Sequence, residues 1–407
     1  MSKREKFKFP KDFLWGAATS SHQIEGGLTN NWSEWEDSRL SQLSKEQLKY
    51  GKENYRSNSK YSCDSYNHYK EDVKVLKELG LKAYRFSIEW SRVEPEKGVF
   101  DFEGLQYYKN LVKELRANGI EPVVTLWHWT VPIWLRDEGG VFAKDFKRYF
   151  LRMSKQVLET ISSDVKYWIT INEPEVFSMC SYLTGEWPPN KRNIFRFLQF
   201  YIFTFPSVHK GTYELIKGYN PESMVSFAKN DAYIEAYNRN IWNVLVANIS
   251  KWFASYLQLD LVKNHLDFIG LNYYFHHRVG ILGIRKMDDR VKDVGWWYKS
   301  ELICPLMEEL HSRYHLPILI TENGLADSKD EYRAKWIEKT VNAMSDCMQD
   351  GVDIIGYLHW SLLDNFEWSS GFRPKFGLIS VDPESKARNI KDSAKYYSEI
   401  VKNSGII

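Results

Sequence analysis

Two glutamates end apolar, β-rich runs that lie far apart in the chain. Glu173 closes Tyr167-Trp168-Ile169-Thr170-Ile171-Asn172-Glu173, and Glu322 closes Pro317-Ile318-Leu319-Ile320-Thr321-Glu322. Taking a carboxylate out of water is costly unless it is paired, so two of them at buried strand ends mark a site. A pair of carboxyls is also what cleavage of a glycosidic bond needs: one protonates the leaving oxygen and the other attacks the anomeric carbon. Pro174 biases Glu173 away from the right-handed helical region and toward an extended backbone, which would aim its carboxyl outward. A general acid must keep its proton near neutral pH, and burial favours that. A nucleophile must be ionised, and a neighbouring cation lowers its pKa. Arg85, in Ala83-Tyr84-Arg85-Phe86-Ser87-Ile88, is the candidate cation for Glu322, and Tyr274 a candidate hydrogen-bond donor to it. The plainer alternative for Glu173 is a cap on the helix that follows.

These residues need a frame that gathers strand ends. Three segments share one rhythm of amphipathic helix, glycine and apolar strand. Tyr66–Leu79 stops at Gly80, Leu105–Asn118 at Gly119 and Tyr332–Asp350 at Gly351, and each is followed by a buried-strand pattern. Glycine just past a helix adopts the left-handed conformation that a Cβ disfavours. Counting such runs gives eight strands, beginning near Phe13, Ala83, Pro122, Lys166, Val225, Phe268, Ile318 and Ile354. Several lack alternation, as strands covered on both faces do. The expected fold is α/β, a single (β/α)8 TIM barrel over residues 1–407 with loop insertions. In that fold the C-terminal strand ends carry the site. Polar or functional side chains cluster there: Arg85, His128, Asn172, Glu173, Asn272, Tyr274, Glu322 and Trp360. Residues 39–62 read as a surface loop or short helix, and 180–265 resists division into helices.

The last strand runs into Trp360-Ser361-Leu362-Leu363-Asp364-Asn365-Phe366-Glu367-Trp368. Glu367 can accept from two vicinal hydroxyls, and Trp360 and Trp368 offer flat apolar faces. Gln23, His128 and Asn172 add polar groups of the same kind. The chain is 15% aromatic, with 16 Trp, 25 Tyr and 22 Phe. That abundance fits a large aromatic core and fits sugar stacking equally well.

Bulk composition narrows the rest. Of 407 residues 43% are hydrophobic, and 55 Lys and Arg balance 53 Asp and Glu for a net charge of +2. Nothing in that balance favours nucleic acid or an anionic membrane. The longest apolar stretch, Phe197–Val208, is far short of the roughly 20 residues that span a bilayer. The four cysteines, Cys63, Cys180, Cys304 and Cys347, are widely spaced and fit a reducing compartment. No apolar run follows the basic start, so a cytoplasmic enzyme is expected. His276-His277 point to opposite faces of a strand, and neither HxH nor HExxH occurs, so no metal is expected. Neither GxGxxG nor a Walker loop occurs, so no organic cofactor is expected.

Taken in order, several segments are similar to glycoside hydrolase family 1, the retaining β-glycosidases. They are Phe13-Leu14-Trp15-Gly16-Ala17-Ala18-Thr19-Ser20-Ser21-His22-Gln23-Ile24-Glu25-Gly26, Tyr84-Arg85-Phe86-Ser87-Ile88-Glu89-Trp90 and His128-Trp129. They continue with Thr170-Ile171-Asn172-Glu173-Pro174, Asn272-Tyr273-Tyr274, Thr321-Glu322-Asn323-Gly324, the Trp360–Trp368 run and Phe376-Gly377-Leu378. The resemblance implies Glu173 as acid/base and Glu322 as nucleophile, about 5 to 5.5 Å apart, with Arg85 and Tyr274 supporting the nucleophile. It implies a glycone site of Gln23, His128, Trp129, Asn172, Trp360, Glu367, Trp368 and Phe376. Glu367-Trp368 resembles the members that take unphosphorylated sugars, and a Glu367 charge would repel a 6-phosphate. The expected substrate is therefore a small β-glycoside or oligosaccharide, most simply a β-glucoside, with β-galactosides and β-fucosides within reach. A non-catalytic sugar-binding barrel and an enzyme that mainly transfers sugars to alcohols are the alternatives. Against the family pattern, the chain is short between 175 and 270, where the aglycone rim is expected, and Thr130-Val131 stands where Asp and Leu are common.

Overall fold

In a computed structural model, residues 7–42, 58–285 and 299–405 are described. Eight strands pair in parallel: β1 Leu14–Ala18, β2 Ala83–Ser87, β3 Glu121–Thr125, β4 Tyr167–Asn172, β5 Met224–Ala236, β6 Ile269–Gly280, β7 Ile318–Asn323 and β8 Ile354–Trp360. Each pairs with the next in chain order, β8 returns to β1, and the ring closes. This is a (β/α)8 barrel, and every expected strand start lies within one residue of an observed one.

The alternation invisible in the sequence is present in the packing. Trp15, Ala17, Tyr84, Phe86 and Val124 face the helices, within one large core. Leu14, Ala18, Ala83, Val123, Ile169, Leu319 and Leu358 fill the barrel interior. Both faces are apolar, so hydrophobicity does not alternate although the side chains do. The three helices that carried the rhythm run Ser65–Glu78, Phe102–Ala117 and Arg333–Gln349. Gly80, Gly119 and Gly351 after them have φ of 74°, 70° and 93°. The middle helix starts where the Asp101 side chain accepts from the backbone N–H of Glu103, and its buried stripe is Leu111, Val112 and Leu115.

The segment 180–265 resists sequence reading for a physical reason. Three π-helical turns, Met179–Leu183, Phe200–Thr204 and Trp252–Tyr256, interrupt its α-helices. A π turn bonds i to i+5 and so slips the apolar stripe by one position, which breaks the 3.6-residue period. Of residues 39–62, helix Asn31–Gln42 and a turn at Ser59–Tyr61 take up the two ends. Positions 43–57 lie outside the described residues.

Strands β5 and β6 are longer than the other barrel strands. They have 13 and 12 residues, and beyond the barrel mouth Ala232–Ala236 still pairs with Phe275–Val279. Helix Ile241–Lys251 packs on this extension through Ala232, Ile234, Ala247 and Val279. Its outer face, with the tip of the following hairpin, is apolar and open: Trp242 is 60% exposed and Leu282 78%. The Asn243 carboxamide oxygen accepts from the N–H of Ile281 at 3.0 Å and ties the tip to the helix.

Gly324 shows how closely the strand ends approach. A Cβ there would stand 1.7 Å from the carbonyl oxygen of Trp360. Backbone cannot yield as a side chain can, so Gly324→Ala should cost about 1–3 kcal/mol or more in urea unfolding and reduce activity by displacing Glu322. Wild-type unfolding and turnover would show this reading of Gly324 to be wrong.

Candidate active site

The site grows from Arg85 on β2, whose side chain is fully buried. Its Nε donates to Thr125 Oγ1 at 2.9 Å, at the end of β3. Nη1 donates to the Thr321 carbonyl at 3.1 Å and to Glu322 Oε1 at 2.7 Å, at the end of β7. Nη2 donates to Asn172 Oδ1 at 2.6 Å, at the end of β4. Tyr274 OH donates to the other Glu322 oxygen at 2.8 Å. Burial raises the Glu322 pKa above 4.5, while Arg85, Tyr274 and Asn272 pull it back. The depressed pKa expected for Glu322 is thus not what the structure gives, because desolvation outweighs the cation.

Glu173 is held by amides instead. Asn272 Nδ2 donates to its Oε1 at 2.8 Å and Asn230 Nδ2 to the same oxygen at 2.9 Å. Burial first, then the charges of Glu322 and Glu175, push its pKa well above 4.5. The backbone differs from the extended form expected: φ is 39° and ψ 63°, a left-handed conformation. Pro174 excludes the right-handed region for its predecessor, and the turn into helix Pro174–Ser178 takes the left-handed alternative. Glu173 stands at the cap position of that helix without making a side-chain cap bond.

The remaining expected residues converge beside this pair. Asn172 Nδ2 donates to His128 Nε2 at 3.1 Å. The His128 pKa is pushed well below 6.5 by burial and by Arg85, so the ring is neutral and its proton sits on Nδ1, which is buried and without a partner among the described residues. Trp129 Nε1 donates to the Asn172 carbonyl at 2.7 Å. The His128 ring stacks near both Trp360 and Trp368, with centroids 6.1 and 5.8 Å away. Gln23 accepts from Ser20 Oγ at 2.7 Å and donates to Glu367 Oε2 at 3.2 Å. Burial and the Glu322 charge push the Glu367 pKa up to about 8. That upward shift weakens the charge repulsion expected against a 6-phosphate. Phe376 packs edge-on to Tyr274 at 6.3 Å. Of the aromatic side chains, Trp90, Trp127, Trp168 and Trp336 are deep core, while Trp129, Trp187 and Trp368 pack on one another beside His128 at 4.6 to 5.9 Å centroid spacing.

The glycosyl hydrolase family 1 model matches residues 5–253 and 232–406. The chain belongs to that family. It is 30% identical to β-glucosidase A of Thermotoga maritima, with 98% of this chain and 99% of the relative covered. The alignment runs to 446 residues, longer than the chain, so the relative carries insertions that are missing here. The structure of the Thermotoga maritima enzyme with glucoimidazole superposes with a TM-score of 0.88 at 29% identity, covering 98% of this chain and all of that one. A β-glycosidase of Pyrococcus horikoshii gives 0.89 at 32% identity, over 99% and 96%. An aryl-phospho-β-D-glucosidase of Bacillus subtilis is also 30% identical over 98% of both chains. The chain is a glycoside hydrolase of the retaining β-glycosidase type.

Sequence reading missed Asn230 and Glu175. Asn230 lies within β5, away from any strand end, so no terminal-residue signal marks it. Glu175 is two residues past Glu173, and its Oε1 accepts the Asn230 N–H at 2.5 Å while Asn230 holds Glu173. Its pKa is raised to about 7 by burial. The expectation of no metal-binding cluster also meets an exception, because Cys304, Glu308 and Cys347 come together on the outer helices.

Glu175→Gln removes a negative charge that is present above about pH 7 and holds the Glu173 pKa up. The basic limb of the kcat/KM profile should therefore move to lower pH. Stability should change in the opposite sense: a carboxyl whose folded pKa is raised stabilises below its unfolded pKa and loses that contribution as pH rises through about 7. The variant should gain melting temperature relative to wild type above pH 8 and not at pH 5. An unmoved basic limb would remove Glu175 from the environment of the titrating group.

Proposed function

We propose that Glu173 is the acid/base and Glu322 the nucleophile in hydrolysis of terminal, unphosphorylated β-D-glycosides, with β-glucosides foremost and β-galactosides and β-fucosides also accepted. The observation that carries this is the contrast between their surroundings. Glu322 has a guanidinium and a phenol on its two oxygens at 2.7 and 2.8 Å, which favour the ion. Glu173 has burial and two like charges, which favour the acid and outweigh the two amide donors that pull the other way. The two groups share one shell, so their titrations belong to the pair, and the first proton to leave comes from Glu322. Glu322 then attacks the anomeric carbon while Glu173 gives its proton to the leaving oxygen. Water, deprotonated by Glu173, displaces Glu322 in the second step and returns the proton.

Gln23, His128, Asn172 and Glu367 would bind glycone hydroxyls, with the unpartnered Nδ1–H of His128 available to one of them. Trp129, Trp360, Trp368 and Phe376 would line the ring. The whole chain, 1–407, acts as one domain in this reading, without metal or organic cofactor in the chemistry. Among the described residues no helix is long and apolar enough to cross a membrane. Free thiols at all four cysteines support a cytoplasmic setting.

Glu322→Gly should lose turnover on aryl β-glucosides and keep a native circular-dichroism spectrum, although it loses stability because the buried Arg85 charge is left uncompensated; wild-type rates would refute the nucleophile. Glu173→Ala should lose on the order of 10²–10⁴-fold in kcat/KM on poor leaving groups and far less on activated aryl glucosides. Equal losses on both would sink the acid role. An aryl panel of glucoside, galactoside, fucoside, mannoside and 6-phosphoglucoside ranks the glycones, and a preference for the phosphorylated member would overturn the reading of Glu367.

A further inference from the structure

Away from the cleft, three metal-ligating side chains meet on the outside of the barrel. Cys304 and Glu308 lie four residues apart on helix Ile303–Tyr314, on one face. Cys347 comes from helix Arg333–Gln349, which packs against it. The two sulfurs and a Glu308 oxygen all lie within 4.8 Å of one another. Cys304 Sγ is 3.7 Å from Glu308 Oε1, and Cys347 Sγ is 3.4 Å from the Cys304 carbonyl oxygen. Cys347 is fully buried, Cys304 half-buried and Glu308 exposed. The cluster is therefore walled on one side and open to solvent on the other.

We propose that Cys304, Cys347 and Glu308 form a binding site for a soft divalent cation of the Zn2+ class, with water in the fourth position. Tetrahedral thiolate coordination at about 2.3 Å puts two sulfurs about 3.8 Å apart, so the ligand atoms close onto an ion by moving on the order of 1 Å. Two thiols and a carboxylate select Zn2+ or Cd2+ over Mg2+ and Ca2+, which take oxygen ligands. The balance is one M2+ in and two thiol protons out, so binding tightens as pH rises. One helix enters β7 and the other leaves it, so the ion would staple the two elements that bracket the strand bearing Glu322. This site is separate from the cleft and needs no assumption about Glu173 or Glu322.

The test is titration of the full-length, chelator-stripped chain with Cd2+ at pH 7.5 under a phosphine reductant. The thiolate-to-cadmium ultraviolet band should saturate at one ion per chain, and two thiols should become protected from a disulfide reagent. Cys304→Ser, at the less buried position, should lose the saturating band and the protection, and Glu308→Gln should weaken binding. Zn2+ should raise the melting temperature of wild type and leave that of Cys304→Ser unchanged. No saturable band in wild type, the same band in Cys304→Ser, or a Cys304–Cys347 disulfide that persists under the reductant would each overturn the proposal.

Discussion

A guanidinium sealed from water must find an acceptor for its N–H groups, because each one left over costs the desolvation it cannot recover. Arg85 meets that demand by reaching from β2 to the ends of β3, β4 and β7. The partners are a threonine hydroxyl, a backbone carbonyl, an asparagine oxygen and one carboxylate. Three of the four are neutral, so one negative charge, Glu322, carries the compensation. Removing one partner of such a buried pair typically costs 3–5 kcal/mol. Alignment of four strand ends and stabilisation of the Glu322 carboxylate are thus one interaction.

That economy explains how two buried glutamates in one shell are told apart. Desolvation raises both. What differs is the sign of the neighbours: cation and phenol at Glu322, amides and other carboxylates at Glu173. Asn272 belongs to both sets. It donates to Glu173, lowers the Glu322 pKa, and is oriented by Thr321 Oγ1 donating to its oxygen at 2.6 Å. One amide thus fixes the position of Glu173 relative to the strand that carries Glu322.

Much of this was legible in the sequence because the barrel converts a linear cue into a spatial one. A residue at the end of an apolar run is at the mouth, whichever run it ends, so Arg85, Asn172, Glu173, Tyr274 and Glu322 could be gathered without a contact map. Cues that depend on the path between strands were not legible. The π turns erased the helical period between 179 and 256. Asn230 is mid-strand because β5 overshoots the barrel. The left-handed Glu173 was half visible, since a following proline says which region is forbidden but not which remains. Cys304 and Cys347 are 43 residues apart in the sequence and meet only because their helices are neighbours around the ring.

The overshoot of β5 and β6 separates two kinds of evolutionary constraint. Residues that set charge and protonation sit within the closed ring, where a change in one strand is felt by its neighbours through Arg85 and Asn272. The extended ribbon and its helix hang beyond that ring with a small core of their own, built from Ala232, Ile234, Ala247 and Val279. Mutations there can reshape the outer wall at little expense to the proton chemistry beneath. A substitution confined to the ribbon therefore leaves the hydrogen bonds of Arg85 and Asn272 in place.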